Sequence, residues 1–202
     1  MARTLNNFGV PLDSGQASAQ GILQPKLNYR FRVSVENFGV SPNTVSFTRQ
    51  VMNVTRPKVS HESIPVDSYN SRVYMMGKHT WEPITITLRD DVQNNVTSLV
   101  GGQMQMQMDH RNQTGFTSGS SYKFQTRIEI LDGNAGTAME EWYLEGCFLT
   151  NTDYSQSDYA VSDPVTIALT LQYDNAQFVT GGNADLGIMP NVASDLGNGD
   201  IN

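Results

Sequence analysis

A single cysteine, Cys147, leaves no intrachain disulfide possible, so ordinary burial and hydrogen bonding must hold this 202-residue chain together. Within Leu144-Glu145-Gly146-Cys147-Phe148 it is expected to be a buried structural thiol. No run of about 18 apolar residues offers a bilayer-crossing helix. The opening MARTLNNFGVPLDSG lacks the apolar stretch of a secretory signal, so folding in the cytoplasm is expected. Charged residues are scarce at 16%, too few for a coiled coil or a strongly charged disordered chain, and the 38% hydrophobic content among many Ser, Thr, Asn and Gln suits a sheet protein.

Recognisable reactive chemistry is equally scarce. Neither a phosphate loop nor a dinucleotide fingerprint occurs, and His61, His79 and His110 have no histidine four residues away and no neighbouring cysteine pair. Asp90-Asp91 could serve as a general acid and base, but a helix start explains the pair better. Glu140-Glu141, just before Trp142, reads as a solvated strand edge. The stretch from Gly181 to Gly187 is similar to a calcium-binding nonapeptide turn but occurs once, where such turns need repetition. No catalytic residue, cofactor or metal is expected, and the chain does not read as an enzyme.

Cations are absent after Arg127. Residues 1–127 hold all 13 Lys and Arg against 8 acids, a net of +5, whereas residues 128–202 hold 12 acids and no cation, a net of −12. If this polarity persists in space, a basic surface on one copy faces an acidic surface on the next, favouring head-to-tail association; otherwise the acids serve solubility. A pI near 4.8 argues against a domain that reads nucleic acid, though a wall that does not hold phosphates suits a conduit.

The remaining pattern is one of strands. Residues 1–24 read as a polar arm, 25–178 as a single β domain, and 179–202 as a flexible acidic tail. Tyr29, Phe31, Val33 and Val35 alternate with Arg30, Arg32, Ser34 and Glu36, and Val45 to Val54 reads as a second strand after a turn. From Thr55 to Asn70, Pro57, Pro65 and polar residues predict a long excursion from the sheet, a kind of segment usually functional. Later runs span Tyr122 to Leu131, Met139 to Thr150 and Pro164 to Tyr173. In the second of these, Trp142, Leu144, Gly146 and Phe148 are expected on one face, opposite Tyr143, Glu145, Cys147 and Leu149. Both Trp81 and Trp142 are expected to pack into the core.

Between His79 and His110 two periods meet. Ile84, Ile86 and Leu88 alternate with Thr85, Thr87 and Arg89 as in a half-buried strand, and then Val92, Val96, Leu99 and Val100 take helical spacing. Asp90 is placed to cap that helix, with Gln93 as capping-box partner, so the strand is expected to hand directly to a helix over about 91–109. The architecture implied is mainly β, an antiparallel sandwich or partly closed barrel with one flanking helix, an extended N-terminal arm, a long loop and a C-terminal tail.

A Trp-x-Pro-Ile strand at 81–84, an acidic pair, one helix, a polar loop and three more strands, preceded by SRVYMMGKH and an Ile64-Pro65-Val66 step, resemble the tail tube proteins of contractile phages over residues 26–178. The resemblance implies a structural virion protein assembled in the host cytoplasm, whose copies form hexameric rings stacked head to tail into a hollow conduit for genome ejection inside a contractile sheath. Implied partners are further copies, the sheath protein, baseplate and tail-terminator proteins, and tape measure protein and DNA in the lumen without sequence-specific binding; membrane anchoring is not implied. Arg56, Lys58, His61, Glu62, Asp67, Arg72, Lys78, Asp90 and Asp91 then become candidates for contacts between copies. Thr85, Thr87, Thr166 and Thr170 become candidates for a lumen or inter-subunit surface. A secretion-system tube that carries effectors is a close variant; a soluble β-sandwich carbohydrate-binding module, using Trp81 and Trp142, is the alternative from another class.

Overall fold

A computed structural model describes residues 9–10, 20–21, 26–39, 45–115, 118–132, 138–160 and 162–180. The expected acidic tail beyond Thr180 lies outside these. Contacts divide the chain into two units, 1–30 and 31–202. In the first, β1 (Gly9–Val10) pairs antiparallel with β2 (Gln20–Gly21).

The second unit contains β3 (Phe31–Glu36), β4 (Val45–Ser46), β5 (Val51–Val54), β6 (Lys58–Ser68), β7 (Ser71–Glu82), β8 (Ile84–Arg89), α1 (Asn95–Gln107), β9 (Met108–Asp109), β10 (Thr114–Gly115), β11 (Phe124–Leu131), β12 (Ala138–Asp153), β13 (Thr166–Gln172) and β14 (Asn175–Thr180). Every pairing is antiparallel. The main path runs β4-β3-β11-β12-β13-β8-β5, with β14 added on β12; β4 and β5 do not pair, so the strands do not close into a barrel, in keeping with the expected mainly β, sandwich-like architecture with one flanking helix.

Strand β12 belongs to both halves of this path. Its first part lies between β11 and β14, and its later part pairs with β13. The transition is at Gly146, where φ is +67° and the register on β11 slips from Thr126–Leu144 to Phe124–Cys147. One extra residue on β12 reverses the alternation. Leu144 and Cys147, expected on opposite faces, are therefore both buried in the core. Burial also pushes the Cys147 thiol up to about 11, the state of an inert structural cysteine.

The core follows the sequence periods closely in β8 and β13: Ile84, Ile86, Leu88, Ile167, Leu169 and Leu171 are all buried. Phe38 joins Phe47 and Phe124 edge-on, with ring centres 5.4 and 4.8 Å apart. The expected strand from Val45 to Val54 is broken into β4 and β5, because Gln50 and Val51 both donate their amides to the Phe47 carbonyl and form a turn.

The helix starts later and ends earlier than its apolar spacing implied. Five residues separate β8 from α1, and Val92 lies in that turn, fully exposed. Asp91, not Asp90, satisfies the helix start: its carboxylate accepts from the Asn95 amide at 2.9 Å and from the Asn95 side chain at 2.6 Å. Asp90 instead accepts from the Thr97 hydroxyl, while its own amide donates to Val165. At the other end, Met108 and Asp109 leave the helix to pair with Thr114 and Gly115.

Two glutamines one turn apart fasten α1 to the sheets. Gln103, fully buried, accepts from the Gly39 amide at 2.8 Å and donates to the Tyr122 carbonyl at 2.7 Å. Gln107 makes the same reciprocal pair with both backbone groups of Leu149, at 2.8 and 2.9 Å. Each side-chain amide thereby stands in for a neighbouring strand. Gly39, at φ +67°, is required here because a Cβ would sit 3.0 Å from the Leu99 carbonyl of α1.

Candidate assembly surface

The expected excursion from the main sheet is an ordered hairpin rather than a loop. β6 and β7 pair from Lys58–Glu82 to Ser68–Ser71 through a two-residue turn in which Tyr69 has φ +50°. Pro65 is accommodated opposite Tyr74 because this is a two-stranded ribbon, in which a missing donor can face an open edge. Almost every residue of the ribbon is exposed.

Its root is fixed to the main sheets. Thr55 exchanges hydrogen bonds with Thr85, the Arg56 guanidinium meets the buried Glu140 carboxylate at 3.4 Å, and Gln172 donates to the Trp81 carbonyl. The Trp81 ring stacks at 5.7 Å on Tyr173, a buried residue whose hydroxyl is pushed up chiefly by desolvation. Among the described residues, the far half has no comparable tie to the main sheet. With side chains alternating along both strands, the opposed pairs Ile64–Met75 and Val66–Val73 share one face of it. These four residues are 43–59% exposed. A two-stranded ribbon is marginal in water by itself, and a contiguous apolar face on one marks a contact surface.

Seven of the nine candidate contact residues fall on this element. Arg56 is at its root; Lys58, His61, Glu62 and Asp67 are on β6; Arg72 and Lys78 are on β7. Within the chain Lys58 pairs with Glu82 at 3.8 Å and Arg72 with Asp67 at 2.6 Å, the latter raising the arginine further above its usual value. Asp90 and Asp91 lie instead at the start of α1, where both carboxylates have partners in the same chain. The sequence reading missed the apolar face itself. The signal was present in the Val and Met residues of VYMM and in Ile64 and Val66, but the prolines and polar neighbours masked it.

Part of the charge asymmetry along the sequence is folded into the protomer, where four cations of the first part meet acids of the later part. Arg32 and Arg127 of the cation-bearing part flank Glu129, which is 2% exposed, and Arg127 also meets Glu141. Register places Arg32, Glu129 and Glu141 in one row across β3, β11 and β12, and Arg127 bridges the two adjacent acids, whose like charges would otherwise oppose the pairing. Arg56–Glu140 and Lys123–Asp174, at 2.6 Å, join the same two parts of the chain. Glu140 and Glu141 are thus not a solvated edge: β11 and β14 flank them, and Glu140 also accepts from the Trp142 indole at 2.9 Å.

Both tryptophans pack on the core, Trp142 against Phe178 at 4.7 Å, so neither forms an open aromatic platform. The threonine row is half-buried, Thr85 standing opposite Thr170 on the face away from the core.

No protein-family model and no curated protein sequence matches this chain. Solved structures do. A chain of the anti-feeding prophage tube-terminating cap matches with a TM-score of 0.62 and 16% identity, covering 83% of this chain and 99% of its own length. A chain of the sheath–tube complex of an extracellular contractile injection system, PVC, matches at 0.57 and 19% identity, covering 78% and 93%. The SPP1 tail tube matches at 0.52 and 10% identity, covering 78% and 80%. The chain has the tail-tube fold. Among the described residues of that fold, the β6–β7 ribbon is exposed along nearly its whole length.

Proposed function

We propose that this chain is a structural tube protomer of a contractile tail, and that its copies form hexameric rings stacked head to tail into a hollow conduit. The tail-tube fold supports the class of protein, and the observation that carries the assembly role is the apolar face of Ile64, Val66, Val73 and Met75 on a ribbon rooted in the sheets but otherwise bare. A neighbouring copy covers that face, and the free edges at β4, β5 and β14 pair with other copies, which removes their tendency to aggregate. Arg56, Lys58, His61, Glu62, Asp67, Arg72 and Lys78 then flank the contact as its polar rim. Sheath, baseplate and terminator proteins are the expected outer and end partners. Tape measure protein and DNA occupy the lumen without sequence-specific binding. The arm of residues 1–24 and the tail of residues 179–202 supply contacts to adjoining rings or to the sheath.

Negative-stain microscopy of the purified chain at rising concentration tests this. Rings or tubes of uniform width are expected, and Ile64→Lys with Met75→Lys is expected to abolish them while leaving a folded monomer by circular dichroism. Unaltered tubes from the double variant remove the hairpin from the contact. A chain that stays monomeric even with sheath and baseplate components present removes the tube reading.

A further inference from the structure

His61 and His79, eighteen positions apart in the chain, are direct partners across the β6–β7 ladder. Their ring centres are 6.2 Å apart with the planes at 57°, and both side chains are exposed. One of them is held from below: the His79 ring contacts Trp81 edge-on at 6.1 Å, and Trp81 rests on buried Tyr173. This aromatic column restricts the His79 ring without using its nitrogens, which leaves them free to act as ligands.

We infer that His61 and His79 form a two-histidine site for a borderline divalent transition-metal ion, of the zinc, nickel or copper type. Imidazole nitrogen suits these ions, and metal–nitrogen bonds of about 2.0–2.1 Å put an ion about 3 Å from each ring centre. Two rings 6.2 Å apart stand about 1 Å wider than two ligands at a tetrahedral angle on one ion, and rotation about the exposed side-chain bonds closes that gap. Among the described residues no group of three or more metal-ligating side chains occurs, so the remaining positions are left to water. The site differs from a structural zinc centre in this respect: it closes no coordination shell, and its effect is to cross-link the two strands of a ribbon. An ion that binds the paired form only stabilises that form by mass action. The inference does not depend on the tube reading, since both ligands come from one chain.

Titration of the full, untagged chain with Zn²⁺ alone, followed by calorimetry and by amide hydrogen exchange, tests the site. One ion per chain is expected, with exchange slowed in residues 58–82. His61→Ala and His79→Ala should each weaken binding about tenfold or more and remove that protection, whereas His110→Ala should leave both unchanged. Near-ultraviolet circular dichroism identifies any variant that has lost its fold, and the Asn variants then replace the Ala ones. Equal binding by wild type and either hairpin variant overturns the inference. So does the absence of binding at millimolar Zn²⁺, or protection that appears outside the hairpin.

Discussion

Single side chains here do work usually given to backbone. Gln103 satisfies the Gly39 amide and the Tyr122 carbonyl at once, in a site with no solvent access. Gln103→Ala leaves both groups buried without partners and is expected to lower stability by about 2–4 kcal/mol, read from denaturant midpoints. A milder effect belongs to Asp91. Its carboxyl lies below the usual aspartate value of 3.8, first because the Asn95 amide donates to the charged form and then because the Asn95 side chain does. A folded-state value below the unfolded one means that the contribution is present above that ordinary value and is lost as pH falls through the folded one. Acid titration of helicity should therefore show the first turn of α1 loosening below about pH 3.8, and Asp91→Asn should flatten that part of the profile. The helix start at the Asp90-Asp91 pair was readable in advance, but neither the role of Gln103 nor the choice between the two acids was. Gln103 sits in an alternation of Met and Gln that fits strand or helix equally, and which acid caps depends on a left-handed Asn94, φ +55°, that no periodicity reports.

At the scale of elements, β12 depends on Gly146. Alanine there must hold a positive φ, and its Cβ would meet the Asp174 carboxylate, the partner of Lys123. Gly146→Ala is expected to cost about 2–3 kcal/mol, of which about 1–2 is backbone conformation; adding Asp174→Ala should recover the steric part alone. Full additivity of the two substitutions in thermal melts would show that they do not meet. The elements that the sequence foretold are those with one buried face. β8 and β13 alternate because one side of each meets the core, and the alternation of β3 at Val33 and Val35 has the same cause. β14 was missed since only Val179 among its described side chains is buried, and β6 falls inside the expected excursion of Thr55 to Asn70 since the ribbon has no core of its own to impose a pattern. The charged candidates nevertheless gathered there, because two prolines and the surrounding polar residues were correctly taken to leave the main sheet.

For the whole molecule, the net charges of +5 and −12 along the sequence left two readings open, stacking through opposite surfaces or acids that serve solubility. The fold instead brings Arg32, Arg56, Lys123 and Arg127 against acids of the later part within one copy. An association resting on Ile64, Val66, Val73 and Met75 is largely insensitive to screening, so tubes should persist when salt rises to about 1 M, where the Debye length is about 3 Å. Light scattering that collapses at that salt would return the contact to electrostatics. The shared strand β12 has a mechanical consequence as well. A sandwich made of two separate sheets can shear along the plane between them, resisted only by side-chain packing. Here sliding one half of the path past the other would have to stretch one continuous polypeptide across the junction at Gly146, so a force on either half is carried to the other through covalent bonds.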